Sequence, residues 1–141
     1  MAVEPHAEQF PHGADIGVRG VGPTVASAFE QAALALSSSV TDIGGVRAEQ
    51  AIDIACEAPT TSLLLFDWLN RVIYEMALRH MVFGRFSVAI EGGRLHGRAW
   101  GERVDPRRHA PAVEPKGATF TALAVEQRGD GTWIAQCVVD V

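Results

Sequence analysis

The spacing of apolar residues divides the chain into short alternating runs and two long stretches of helical period. After His12-Gly13-Ala14-Asp15, the residues Ile16, Val18 and Val21 alternate with small or charged ones, which predicts a short strand over 16–21. Gly22-Pro23 interrupts it. Thr24 then stands at a helix N-cap position, where a hydroxyl can accept from backbone N–H groups that lack a helical partner. Val25, Ala28, Phe29, Ala32, Leu36 and Val40 recur at intervals of three and four and share one helical face over 25–40. The other side of this helix is rich in Ala and Ser rather than charge, so it is expected to lie largely buried against a sheet. Thr41-Asp42-Ile43-Gly44-Gly45 ends it.

Alternation resumes from Ala51 to Cys56, with Ile52, Ile54 and Cys56 on one face and Asp53 and Glu57 on the other. Pro59-Thr60-Thr61-Ser62 opens a second helix to about Met81, carrying Leu64, Leu65, Trp68, Leu69, Val72, Ile73, Met76 and Ala77 on a wide apolar face. Two hairpins follow. The first joins 83–90 to 95–104 through Glu91-Gly92-Gly93-Arg94, and the second joins 118–127 to 132–141 through Arg128-Gly129-Asp130-Gly131. Between them, residues 101–117 form the longest stretch without period, and its three prolines argue against regular structure. Residues 1–10 are polar and expected to be loosely held up to Phe10. The pattern predicts one α+β domain over 1–141, a mainly antiparallel sheet with two long helices packed on it.

Composition narrows the function. A net charge of −5 argues against non-specific binding to nucleic acid, which needs surplus Lys and Arg to displace counterions. Two cysteines, Cys56 and Cys137, are too few for a disulfide framework, and both sit in apolar alternating runs as small hydrophobes. The first ten residues lack the basic start and apolar stretch of a signal peptide. No apolar run approaches the ~20 residues of a membrane helix. A cytoplasmic, non-membrane protein is expected.

The candidate chemistry lies at the two ends of the chain and in the central loop. Asp15, just ahead of a strand, has an uncrowded carboxylate; taken alone it reads more readily as a turn cap that satisfies its own backbone. Asp140 stands beside the α-carboxylate of Val141, and adjacent carboxylates repel unless solvated or bridged by a cation. Oxygen-only ligands favour calcium, magnesium or manganese over zinc. In the loop, Glu102, Asp105, His109 and Lys116 are candidates, and Lys116 is restrained between Pro115 and Gly117. Arg103, Arg107 and Arg108 read as solubilising charge. Asp67 has three open roles: capping, pairing with Arg71, or facing solvent. His6, His12, His80 and His96 lack the mutual spacing of a metal site or relay. No nucleophile with a paired base, phosphate loop or CxxC is present. This thin inventory favours a protein that assists another over an enzyme.

In chain order, His12-Gly13-Ala14-Asp15, Leu64-Leu65-Phe66-Asp67-Trp68-Leu69-Asn70, Gly101-Glu102 with Asp105 and His109, Lys116-Gly117-Ala118-Thr119-Phe120, and the final Asp140-Val141 together resemble the archease family. Most members carry Thr where Gly13 stands and Tyr-His where this chain has Phe120-Thr121. The resemblance implies a non-catalytic accessory protein of an RtcB-type RNA ligase, which joins RNA ends with GTP and a divalent metal in tRNA splicing and RNA repair. Such a protein promotes attachment of GMP to the ligase's histidine and allows repeated turnover, meeting RNA only indirectly. Some archaeal members are instead linked, as chaperone-like modulators, to a tRNA cytosine methyltransferase. By resemblance, Asp15, Asp140 and the Val141 carboxylate hold a divalent metal ion, and Lys116, with His109 and Glu102, serves activation of the partner. Two rival readings stand beside this one: a stand-alone metal-dependent phosphoester hydrolase using Asp15, Asp140 and His109, and a generic chaperone-like module acting through an apolar surface.

Overall fold

A computed structural model of the chain describes residues 4–141. Met1–Val3, part of the segment expected to be loosely held, lie outside the described residues. The elements run β1 (His6–His12), β2 (Asp15–Gly22), α1 (Val25–Val40), a 3₁₀ turn (Ile43–Gly45), β3 (Gln50–Glu57), α2 (Thr61–Arg79), β4 (Met81–Glu91), β5 (Arg94–Arg103), α3 (Pro106–His109), β6 (Gly117–Ala118), β7 (Ala124–Gln127) and β8 (Trp133–Asp140). The fold is α+β, as the pattern predicts, but the strands divide into two antiparallel sheets. One has the order β1-β2-β8-β6, with β7 also pairing along β8; the other has the order β3-β5-β4.

The helices begin where their caps dictate. Thr24 accepts from the Ser27 N–H while Ser27 reciprocates to the Thr24 N–H, a closed capping box. Thr60 caps α2 through the Leu63 N–H, and α2 stops at Arg79 because His80 turns left-handed at φ 53°. Both helices and both sheets feed one core. Phe29, Leu36, Leu64, Leu65, Trp68 and Leu69 from the helices meet Val18, Cys137 and Val139 from the first sheet and Ile54, Phe83 and Leu95 from the second. Trp68 is fully buried, donates its indole N–H to the Phe29 carbonyl at 3.1 Å, and lies over Gly97, where a Cβ would come within 2.5 Å of its ring. Gly20 does the same for α1: a Cβ there would stand 1.8 Å from the Ala28 oxygen.

Three expectations need correction. Residues 6–12 form a strand whose Phe10 covers Gly17 and carries the Arg19 guanidinium 4.8 Å from its ring centre. This strand is an exposed edge with one large apolar residue, so alternation could not reveal it. The 101–117 stretch is partly regular: β5 reaches Arg103, and Asp105 caps α3 with Pro106 in its first turn, a favoured start for a short helix. The last hairpin is interrupted at residues 119–123, where Ala122 is left-handed at φ 54° and the Leu123 N–H reaches the Phe120 carbonyl. No helix among the described residues is long and apolar enough to cross a membrane.

Candidate functional site

The second and last strands of the fold carry the two aspartates to one place. β2 and β8 pair antiparallel with Ile16 opposite Val139, so the next residues outward are Asp15 and Asp140. Asp15 Oδ1 accepts the Val141 N–H at 3.4 Å. On one flank, His12 lies opposite Asp15 across a two-residue turn whose Gly13 takes φ 59°; a primed turn requires this sign of φ, which Gly adopts without steric cost. On the other flank, β6 places Gly117 opposite Asp140, and the Lys116 N–H donates to the Asp140 carbonyl at 2.8 Å. Asp15 and Val141 are half-buried, whereas Asp140, Lys116 and His12 are exposed. A shallow cleft of ≈310 Å³ beside Asp15 is lined by Gln9, Phe10, Pro11 and Ile16.

Among the described residues, no three His, Cys, Asp or Glu side chains cluster as a metal centre. Asp15 and Asp140 stand at the same end of the β2–β8 ladder, and the Val141 main chain lies against Asp15. The carboxylates of Asp15, Asp140 and Val141 are oxygen donors and anionic, a set that fits a hard divalent cation.

Lys116 reaches this end because its segment is tethered on both sides. The Asn70 Oδ1 on α2 accepts the Ala118 N–H at 2.9 Å, and the Thr119 hydroxyl donates to the Val138 carbonyl at 2.8 Å. Nothing in the helical pattern singles out Asn70. It closes the Leu64–Asn70 motif, but its role as an acceptor follows from the approach of a segment 48 residues away.

Glu102 and His109 sit elsewhere, inside the protein. Each is only 4% exposed. Glu102 accepts the Arg47 N–H at 2.6 Å, pairs with Arg108, and receives the His109 Nε2 at 3.1 Å. The Asp105 N–H donates to His109 Nδ1 at 2.8 Å, so the proton of the neutral ring is on Nε2 and both nitrogens are engaged. The Thr41 hydroxyl donates to the His109 carbonyl at 2.6 Å. Arg108, chiefly, with the Arg47 N–H and His109, holds the Glu102 carboxyl at about 2, against burial, which pushes the other way. This cluster fixes the root of the loop that ends at Lys116. Arg108 is thus an internal partner rather than solubilising charge, and it also donates to the Gly45 carbonyl at 2.7 Å.

The remaining candidates are quiet. Burial, followed by nearby Asp67, pushes the Cys56 thiol up to about 11, and burial pushes Cys137 to about 12, so neither is an activated nucleophile. Asp67 is half-buried and makes no ion pair with Arg71, whose guanidinium lies over the Tyr74 ring instead.

This arrangement can be set beside known proteins. A model of the Archease protein family matches residues 8–141. The chain is 38% identical over 138 residues to protein archease of Pyrococcus furiosus, covering 95% of this chain and 97% of that one. Protein 1598 of Methanobacterium thermoautotrophicum superposes with a TM-score of 0.84 at 27% identity, over 96% of this chain and 98% of that one. An archease of Thermotoga maritima, named a possible chaperone, shares the fold with a TM-score of 0.65 at 20% identity, over 95% and 96% of the two chains. With the family model matching from β1 to the last residue, the chain belongs to the archease family.

Proposed function

We propose that this protein is an accessory factor of an RtcB-type RNA ligase, promoting guanylylation of the ligase's histidine and repeated turnover in tRNA splicing and RNA repair. The observation that carries this reading is the meeting of Asp15, Asp140 and Lys116 at one exposed end of the β2–β8–β6 ladder. Asp15, Asp140 and the Val141 carboxylate would hold a divalent ion, calcium, magnesium or manganese. When bound, such an ion supplies positive charge for phosphate oxygens. Asp15, half-buried and bonded to the Val141 N–H, orients the chain end. Lys116 offers a point charge to phosphate or to a partner's carboxylate, and its backbone N–H bond to Asp140 keeps the two functions in register. The stand-alone hydrolase fares worse, because its general base, His109, is buried with both ring nitrogens engaged.

The test is guanylylation and multiple-turnover ligation by the cognate ligase with this protein limiting. Wild type stimulates, whereas Asp15→Asn, Asp140→Asn and Lys116→Ala abolish stimulation while keeping the native circular dichroism spectrum. Full stimulation by all three variants would remove the site assignment. In calorimetry, manganese or calcium gives heat with wild type that Asp140→Asn lacks; equal heats refute the metal role. The family resemblance leaves a second reading, a chaperone-like modulator of a tRNA cytosine methyltransferase. It predicts that the aspartate variants remain active on that partner.

A further inference from the structure

Three large hydrophobic side chains stand exposed among the described residues: Tyr74 at 51%, Leu78 at 57% and Phe120 at 66%. A single exposed apolar residue needs no explanation, but a concentrated set marks an interaction site. Tyr74 and Leu78 are one turn apart on α2, and Phe120 stacks on Phe66 two turns before Tyr74. Phe66, Asn70, Tyr74 and Leu78 are successive i, i+4 neighbours on α2, a ridge that winds about 120° around the axis and carries the polar Asn70 within it. Phe120 joins the start of that row, its ring stacked on Phe66 with centroids 4.6 Å apart. The Asn70–Ala118 hydrogen bond fixes the same alignment one turn on. The row therefore runs alongside the segment that presents Lys116.

The exposure of Phe120 is built in. The Val138 N–H donates to the Thr121 carbonyl at 3.0 Å, the Thr121 N–H to the Thr119 hydroxyl at 3.1 Å, and the Gln136 amide to the Ala122 carbonyl at 3.1 Å. Ala122 takes a left-handed φ of 54°, a costly conformation for a residue with a Cβ. This well-bonded turn leaves a phenyl ring facing outward.

The cations beside the row, Arg71 and Lys116, make no ion pair among the described residues, and one acidic residue, Asp67, stands one turn before Arg71 on α2. Arg71 lies over Tyr74 with 5.6 Å between guanidinium and ring centre. On a chain of net charge −5, two cations without a carboxylate partner beside a largely apolar ridge favour a partner with acidic groups. The row spans about 18 Å from Phe66 to Leu78 at 1.5 Å per residue. That is the scale of a protein contact rather than of one nucleobase, and Leu78 has no aromatic face for a base to stack on.

We propose that the Phe66–Phe120, Tyr74 and Leu78 row is a protein-docking face, and that its occupant is an apolar groove with an acidic rim on the partner ligase. Arg71 and Lys116 meet that rim, and the docking brings the Asp15–Asp140 end to the ligase. This rests on the function proposed above.

The experiment measures binding of the full-length protein to the cognate RtcB-type ligase by biolayer interferometry, alongside the guanylylation assay. Tyr74→Ala, Leu78→Ala and Phe120→Ala keep the wild-type melting temperature within a few degrees and each raise Kd at least about tenfold, as truncation of an interface anchor does. The concentration for half-maximal stimulation rises in parallel, and stimulation recovers as more protein is added. Arg71→Glu weakens binding similarly and Arg71→Lys restores it. Wild-type affinity in the Tyr74→Ala/Leu78→Ala double variant, with stimulation intact, overturns the docking face and leaves the function standing. Absence of any wild-type binding or stimulation overturns both. A dimer in sedimentation that the double variant dissolves assigns the face to a second copy of this chain and also overturns the proposal.

Discussion

Replacing Asn70 by Ala removes one acceptor, the Oδ1 that takes the Ala118 N–H at 2.9 Å. Two effects oppose each other. The lost hydrogen bond is worth about 1 kcal/mol net, near the middle of the usual range, because the Ala118 amide is only partly buried and water can replace Asn70. Ala is the better helix former by about 0.5 kcal/mol, so α2 itself gains. Global stability then shifts by roughly 0.5 kcal/mol, about 1–3 °C in melting temperature for a domain of this size. The local effect is larger in proportion: about 1 kcal/mol raises exchange of the Ala118 amide about fivefold. Amide hydrogen exchange reads both at once. Ala118 loses protection in Asn70→Ala, the core amides of α2 do not, and Asn70→Asp, which keeps an acceptor oxygen, retains protection. Lys116, two residues away, keeps its bond to the Asp140 carbonyl but loses the α2 tether, so under the proposed function ligase stimulation falls several-fold. Unchanged Ala118 protection, or equal loss across α2, would show that Asn70 does not position this segment.

Acid should act through Glu102. Its carboxyl is held at about 2, below the ordinary 4.5, so its stabilising contribution is fully present above pH 4.5 and drains away as pH falls towards 2. Glu102→Gln lacks that contribution at neutral pH, and the melting temperatures of the two proteins converge over this interval; a gap that stays constant refutes the assignment. Gly20→Ala tests the seating of α1 on β2. Its Cβ would lie 1.8 Å from the Ala28 oxygen and 2.3 Å from the Ala32 nitrogen, both main-chain atoms that cannot rotate away. Overpacking of this kind costs at least about 1–3 kcal/mol, and a variant that melts like wild type would mean that α1 shifts freely.

Much of the fold is legible in the sequence because the relevant physics is local. The bounds of α1 follow from Thr24, the three-and-four spacing and the break after Val40, and the Glu91–Arg94 turn follows from its two glycines. The family is legible too, through short motifs in chain order. What escapes is everything that depends on a distant partner. β1 is a strand because β2 offers it an edge and Gly17 gives its Phe10 a seat. Glu102 and His109 read as loop charges, yet they are buried because Arg47, Arg108, Asp105 and Thr41 satisfy their polar atoms.

The two aspartates show the division most clearly. The sequence determines their chemistry, two carboxylates next to strands at opposite ends of the chain. It does not determine that they meet. That outcome depends on β2 choosing β8 as its neighbour and on a register with Ile16 opposite Val139. A one-residue slip of that register would turn every core side chain of the strand outward. The packing of Val18, Cys137 and Val139 into a common core excludes such a slip, and so the tertiary structure, not the local pattern, brings Asp15 and Asp140 together beside Lys116.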